Sequence, residues 1–243
     1  MVVVVEFSSF DRISRHHYME VQFQIKHNEK LYLRDPELSV IGRKMVRQSI
    51  GMINKMGFEQ FTFKKLAEAI DTTEASVYRY FENKHKLLLY LLAWYWSWLE
   101  YQVVFHTNNL SEPEKKLRKI IDLLTRRPEP MSDASEIDFN ALFQIVISEG
   151  SKSYLTKDVD QLNKHKLFKP YKDLCARISD AILEYNSRYR YPHSMATTLL
   201  EMSHYQYFFM LHLPSLTDFG DAKTPEGIRN FLESLLFSAI AKK

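Results

Sequence analysis

Glycine and proline are scarce in this sequence, and their distribution constrains the fold more than any other feature. Only six glycines and eight prolines occur among 243 residues, and residues 58–112 contain neither. These two residue types are the strongest breakers of regular structure, so long stretches without them leave room for helices much longer than strands. We therefore predict an all-α protein.

The apolar segments and the single cysteine bear on cellular location. The longest apolar run, residues 87–96, is broken by Ser97, well short of the roughly 18 to 20 residues that span a bilayer. The N-terminal sequence MVVVVEFSSF lacks the basic region and the cleavage pattern of a secretory signal. Cys175 is the one cysteine, which excludes an internal disulfide. We expect a cytoplasmic protein without a membrane partner.

The net charge of +3 is concentrated in one part of the chain. Residues 37–86 contain nine Lys and Arg side chains against six Asp and Glu, whereas the flanking segments are balanced. A local cationic surface suits a phosphate backbone, although charged residues more often only solvate a face.

Changes of pattern divide the chain into three regions. In residues 1–36, Val21, Phe23 and Ile25 alternate with polar residues until Asp35-Pro36, which predicts an irregular or partly extended arm. Residues 37–86 have helical periodicity and form the predicted DNA-binding domain, and residues 87–243 form a larger helical domain. The sequence leaves open whether translation begins at Met1 or Met19.

Two short helices are predicted at the start of the second region. Val46, Ile50 and Ile53 share one face of a first helix that ends at Gly57, a residue suited to a C-terminal cap. Thr62 is placed to cap a second helix whose Leu66 belongs to its apolar face.

A third short helix completes a helix-turn-helix motif. It begins after Thr72 or Thr73, and Val77 and Phe81 point inward because they lie four residues apart. Its other face carries hydroxyl and cationic side chains suited to base edges and phosphates. Asn83 then caps a fourth helix, whose N-terminus is an anion site. The predicted DNA-binding residues are Thr62, Thr72, Thr73, Glu74, Ala75, Ser76, Tyr78, Arg79, Tyr80 and Lys84.

Three groups of residues in this segment match a known family in order and spacing. They are Gly57-Phe58 at the end of the first helix, Thr62 followed by Leu66-Ala67, and Tyr78, Tyr80, Phe81 and Lys84 at the end of the third helix. Residues 41–88 resemble the DNA-binding domain of the tetracycline-repressor (TetR) family of transcriptional regulators. The resemblance implies phosphate contacts for Thr62, Tyr78 and Lys84, and base contacts for Thr73, Ala75, Ser76 and Arg79.

The chain departs from the family pattern in the turn. Ile70-Asp71-Thr72 replaces the usual Ala-Gly-Val, and Ala75 replaces a glycine. Asp tolerates the left-handed backbone that glycine would supply, so we expect the turn to persist. The base preferences of the family do not carry over.

The third region is predicted to contain a long helix from Lys84 past Phe105 and further helices near 113–126, 136–149, 158–189, 193–213 and 225–241. Trp94 and Trp98 share one face of the long helix, and such a stripe is either core or, as the resemblance implies, part of a cavity wall. The candidate effector-binding residues are Trp94, Trp98, Phe143 and Tyr205.

Two C-terminal helices carry wide apolar stripes that must be covered. They resemble the dimerising four-helix bundle of the family, and packing within one chain is the alternative. The candidate dimer residues are Met195, Leu199, Met202, Phe209, Ile228, Phe231, Leu232 and Leu235.

A metal enzyme is the competing hypothesis. Glu82-x-x-His85 and Glu201-x-x-His204 both have the spacing used in carboxylate-bridged di-iron bundles. However, Glu82 and His85 straddle the predicted cap at Asn83, a poor position for shared ligation. The sequence also lacks the glycine-rich motifs of nucleotide-binding proteins and the motif of serine hydrolases.

The favoured hypothesis is a homodimeric, ligand-responsive regulator without enzymatic activity, metal or cofactor. The resemblance implies a repressor that binds palindromic double-stranded DNA and is released by a small apolar effector.

Overall fold

The computed structural model describes residues 27–128, 137–219 and 224–241, and in these ranges the chain folds into ten α-helices. The prediction of an all-α protein is confirmed. The helices are α1 Val40–Gln60, α2 Phe63–Ala69, α3 Glu74–Tyr78, α4 Lys84–Thr107, α5 Pro113–Thr125, α6 Phe139–Glu149, α7 Val159–Lys164, α8 Lys169–Tyr185, α9 Pro192–His212 and α10 Pro225–Ile240. Single 3₁₀ turns span Glu29–Leu31, Pro36–Leu38, Gly150–Ser153 and Pro214–Leu216.

The predicted helix caps form where the sequence places them. The side chain of Thr62 accepts a hydrogen bond from the N–H of Lys65, and Asn83 accepts one from the N–H of Lys86. Thr73, rather than Thr72, caps α3 by accepting from the N–H of Ser76. Each cap satisfies an N–H group that has no partner within its helix.

Two left-handed residues shape the helix-turn-helix domain. Gly57 has φ 78° and ψ 158° and interrupts α1, so Phe58 turns into the core. Asp71 has φ 57° in the turn between α2 and α3, as expected for a residue in the place of glycine. These two positions set the path of the chain from α1 to α3.

Helix α4 forms the centre of the molecule. Almost every residue from Leu87 to Leu99 on this helix is buried, because α5, α6 and α8 pack around it. The helix continues without a break through residue 86, where the sequence predicts the boundary between the two domains. The position of that boundary therefore stays a prediction.

The predicted single helix over 158–189 is wrong, because the chain forms α7 and α8 instead. Lys166 adopts φ 59° after α7, and its N–H donates to the carbonyl of Asn163 while the N–H of Leu167 donates to that of Leu162. This is a Schellman C-terminal cap, which usually carries glycine at the left-handed position. A lysine at this position does not mark the end of a helix in the sequence.

The arm is described only from residue 27. It lies against α4, where the ring of His27 is 4.5 Å from that of Tyr90, and the side-chain amide of Asn28 donates to the carbonyl of His165 at 2.8 Å. The alternating segment at Val21 to Ile25 and Met19 lie outside the described residues. Within the described ranges, no helix is long and apolar enough to cross a membrane.

Candidate functional site

Helix α3 presents its outer face to solvent because its rear is anchored in the core. Val77 and Phe81 are fully buried, and the ring of Tyr78 packs edge-on against Phe63 at 5.0 Å. Tyr78 nevertheless keeps 48% of its surface exposed. The helix is short, and its orientation therefore depends on these buried contacts.

The residues on this outer face include hydroxyl, methyl and guanidinium groups. Thr73, Glu74, Ala75 and Arg79 are exposed, and Ser76 is half-buried. The hydroxyls of Thr73 and Ser76 lie 2.9 Å apart and pair with each other. We call Thr73, Glu74, Ala75, Ser76, Tyr78 and Arg79 the recognition surface. Thr62 is exposed and Thr72 half-buried beside it.

Tyr80 is a correction to the predicted DNA contacts. Only 3% of its surface is exposed, and its hydroxyl pairs with that of Ser39 at 2.8 Å. Its carbonyl accepts a hydrogen bond from the N–H of Leu33, and the guanidinium of Arg34 lies 5.3 Å from its ring centre. Tyr80 therefore joins the arm to the helix-turn-helix domain rather than facing DNA.

Lys84 makes contacts within the chain that the sequence did not predict. Its ammonium donates to the carbonyls of Phe58 at 3.0 Å, Glu59 at 3.2 Å and Phe61 at 3.4 Å. An ammonium has three N–H donors, so it can donate one to each of these carbonyls. The side chain thereby holds the α1–α2 junction against the start of α4, and its predicted phosphate contact stays a prediction.

A cavity of about 690 Å³ lies in the larger helical region, among α4, α7, α8, α9 and the turn Gly150–Ser153. Its volume is in the range of pockets that hold a small organic ligand. The lining is mostly apolar and aromatic, and it includes Trp96, Phe168 and Tyr171.

A carboxylate forms the polar centre of this cavity. Glu201 accepts hydrogen bonds from the hydroxyls of Tyr154 at 3.0 Å and Tyr171 at 2.6 Å. Burial raises the pKa of both phenols, and the neighbouring Glu201 charge raises each pKa further. Both hydroxyls therefore stay protonated and donate to the carboxylate.

Comparison with known proteins finds a similarity in the helix-turn-helix segment. Residues 48–91 match the family model described as bacterial regulatory proteins, tetR family. This segment is thus similar to the corresponding part of TetR-family proteins. The match includes α2, α3 and the first turns of α4, and therefore the whole recognition surface.

Solved structures share the fold of this chain at low sequence identity. AibR in complex with isovaleryl coenzyme A and operator DNA is 18% identical, with TM-score 0.55 over 81% of this chain and 99% of that one. The fatty acid degradation regulator FadR from Bacillus halodurans is 13% identical, with TM-score 0.56 over 79% and 92%. The ketosteroid regulator KstR2 of Mycobacterium tuberculosis is 13% identical, with TM-score 0.52 over 84% and 98%. No curated protein matches the sequence significantly.

The cavity lining does not include the four candidate effector residues, whose role stays a prediction. Trp94, Trp98 and Phe143 are at most 8% exposed and do not line the cavity. Trp98 packs against Phe139 at 5.0 Å on the other side of α4. Tyr205 lies beside a smaller neighbouring cleft. The tryptophan that lines the cavity is Trp96, two residues away and therefore on the opposite side of the helix.

Three of the candidate dimer residues have no surface available to a second chain. Leu199, Ile228 and Leu232 are completely buried in one chain, where α9 and α10 pack against each other and against α5. The other five keep exposed surface: Met195, Met202, Phe209, Phe231 and Leu235. Phe231 is 40% exposed.

The structure gives His204 of the di-iron hypothesis other hydrogen-bond partners. Nδ1 of His204 lies 2.9 Å from the carbonyl of Leu200, so it donates, and Nε2 then accepts from the hydroxyl of Tyr95 at 3.2 Å. Glu82 and His85 are exposed at the start of α4. Among the residues that the structure describes, no group of three or more His, Cys, Asp or Glu side chains could hold a metal ion.

Proposed function

We propose that this chain is a DNA-binding transcriptional regulator whose occupancy of DNA responds to a small ligand. The exposed recognition surface on α3 is the observation that carries the proposal. Arg79 can donate to a guanine edge, Thr73 and Ser76 can bond to bases or phosphates, and the methyl group of Ala75 allows close approach. The helix-turn-helix domain of bacterial regulatory proteins spans the same residues.

The regulator acts as a homodimer in this proposal. Met195, Met202, Phe209, Phe231 and Leu235 give the α9–α10 pair an outer apolar face, and a second copy can cover it about a two-fold axis. Two recognition surfaces would then meet successive major grooves roughly 34 to 36 Å apart on palindromic DNA.

Ligand binding can reach the DNA-binding domain by two connections. Leu89, Leu92, Ala93 and Trp96 on α4 line the cavity, and the same helix begins at Lys84, which holds the α1–α2 junction. The arm provides the second connection. Asn28 binds the turn after α7, and Leu33 binds the carbonyl of Tyr80.

In this proposal the chain is a repressor that its ligand releases from DNA. A ligand that spreads the helices around the cavity would displace the start of α4 and change the distance between the two recognition surfaces. It must favour the released state by several kcal/mol to switch occupancy decisively. The AibR structure holds isovaleryl coenzyme A together with operator DNA, so the fold accommodates both kinds of partner.

The proposal assigns the chain no enzymatic reaction, and it places the chain in the cytoplasm, where it has access to DNA. The hydroxyls of Tyr154 and Tyr171 are committed to Glu201, and His204 is committed to Tyr95. These polar groups therefore serve binding and packing.

Selection from a random duplex DNA library with the purified protein tests the proposed function. We expect enrichment of an inverted repeat whose half-sites are about one helical turn apart. A library that remains unenriched at low ionic strength, where nonspecific binding is strongest, would contradict the proposal.

A further inference from the structure

The charge distribution around the cavity distinguishes between classes of ligand. Within the described residues, no Lys, Arg or His side chain forms an ion pair with Glu201, whose hydrogen-bond donors are the hydroxyls of Tyr154 and Tyr171. Two neutral donors orient the carboxylate and leave its charge uncompensated. A carboxylate has about four lone-pair sites and therefore retains acceptor capacity beyond these two bonds.

Aromatic rings line the same cavity as this carboxylate. The ring of Trp96 meets that of Tyr171 edge-on at 5.0 Å, and both line the cavity together with Tyr154 and Phe168. The faces of such rings attract cations, most strongly for tryptophan and tyrosine. The rings and the carboxylate thus favour the same sign of charge.

The charges of Lys172 and Asp160, which also line the cavity, do not reverse its preference for a positively charged group. Lys172 is exposed, and its ammonium donates to the side-chain oxygen of Asn163 at 2.6 Å. Asp160, also exposed, adds a second negative charge. A ligand carboxylate placed near Glu201 would lose hydration and meet a like charge, both of which weaken binding.

We infer that the ligand of this cavity is a hydrophobic organic cation, a substituted ammonium with an apolar body. Its ammonium lies against Glu201 and the rings of Trp96 and Tyr171, and its apolar part occupies the space near Leu89, Leu92 and Phe168. This inference rests on the proposed function for its regulatory meaning, whereas the binding itself does not depend on DNA.

Calorimetric titration with three probes of equal chain length tests the assignment. The probes are decyltrimethylammonium, 1-decanol and decanoate, with the two ions used below their micellar concentrations and decanol below its solubility limit. We expect the cation to bind the parent protein at least about tenfold more tightly than decanoate, with decanol between them. Tighter binding of decanoate, or no binding of any probe, overturns the inference.

Glu201→Gln keeps the shape of the side chain and one acceptor while removing the charge. It should weaken binding of decyltrimethylammonium by about tenfold, leave decanol within about twofold, and strengthen decanoate. Asp158→Asn removes an exposed charge outside the cavity lining and should change the cation affinity by less than about threefold. Unchanged cation binding by a Glu201→Gln protein that still binds decanol contradicts the assignment.

The ratio of cation to decanoate affinity in the parent protein decides the question even if Glu201→Gln fails to fold. Failure of the proposed function is visible separately. A protein that binds the cation but enriches no duplex DNA loses the regulatory role and keeps the cavity assignment. A protein that binds DNA and prefers decanoate loses only the cavity assignment.

Discussion

At the scale of single residues, Lys84 stabilises the fold through three carbonyl groups. Lys84→Met keeps the aliphatic chain and removes the ammonium, which leaves the carbonyls of Phe58, Glu59 and Phe61 without this donor. We expect a loss of about 1 to 2 kcal/mol in the free energy of unfolding, measured by urea denaturation. The exposed Lys64 is the matched control, and Lys64→Met should change stability by less than about 0.5 kcal/mol.

DNA binding by the Lys84→Met variant distinguishes the contacts seen in the structure from the phosphate contact predicted from the sequence. A phosphate contact by Lys84 predicts that the salt dependence of DNA binding falls by about one unit in the variant. The structure predicts an unchanged salt slope. A reduced slope with normal stability would show that Lys84 leaves the carbonyls to bind DNA.

His204 makes the stability depend on pH. Burial lowers its pKa from 6.5 to about 4, so the folded protein holds it neutral while the unfolded chain protonates near 6.5. The unfolded state therefore binds more protons below pH 6.5, and stability falls as the pH falls from there toward 4. Linkage gives a loss of about 2 kcal/mol between pH 7 and pH 5 for this one group.

His204→Gln tests this assignment because glutamine does not titrate. Urea denaturation at the two pH values should show a loss in the variant that is about 2 kcal/mol smaller than in the parent. His27, whose pKa burial lowers to about 3, continues to contribute in both proteins. An equal loss in parent and variant would mean that His204 is not buried as a neutral ring.

At the scale of helices, two glycines of α1 should respond to alanine in opposite directions. Gly57 has a backbone conformation accessible almost only to glycine, although a methyl group there would meet only Glu149 at 3.7 Å. Gly57→Ala should therefore destabilise the protein by about 1 to 3 kcal/mol through backbone strain alone.

Gly51 provides the matched control within the same helix. It is exposed, and a methyl group added there would meet no atom of the surrounding structure within 4 Å. Gly51→Ala should stabilise α1 by about 0.5 to 1 kcal/mol, because alanine loses less backbone freedom. Thermal unfolding of both variants measures the difference, and a shift of the same sign in both would contradict the assigned kink.

Local signals explain which elements are predictable from sequence. Thr62, Thr73 and Asn83 mark their helix starts by chemistry that acts within a few residues, so the helix-turn-helix domain is predictable. The Schellman cap at Lys166 carries no glycine, and the pattern therefore predicts one helix where two form. Trp94, Trp96 and Trp98 are equally aromatic, and only the packing of α6 and α8 decides which one lines the cavity.

The same distinction between local signals and distant contacts applies to the candidate site. The exposure of Arg79 follows from the four-residue spacing of Val77 and Phe81, which anchor the rear of α3 and of the residues just after it. The burial of Tyr80 depends on Ser39 and Leu33, which are far away in the chain. The pairing of Glu201 with Tyr154 and Tyr171 joins three segments, and no periodicity in one helix reveals it.

At the scale of the whole molecule, the apolar outer face of α9 and α10 predicts self-association. Phe231→Glu places a charge in the proposed interface and should raise the dimer dissociation constant at least about tenfold, because an unpaired charge there must lose hydration. Analytical ultracentrifugation measures the constant. Leu155, which is 76% exposed outside this face, is the control, and Leu155→Glu should leave the constant unchanged. Equal effects would place the interface elsewhere.

The central claim is that the recognition surface on α3 reads DNA sequence. It is tested most directly by the ratio of affinities for a selected duplex and a scrambled duplex, measured by fluorescence anisotropy for the parent and for Arg79→Ala. The claim predicts that the ratio falls by about tenfold in the variant, within the roughly 1 to 3 kcal/mol of a base contact, whereas Lys64→Ala leaves it unchanged. A ratio in Arg79→Ala equal to that of the parent would contradict the claim.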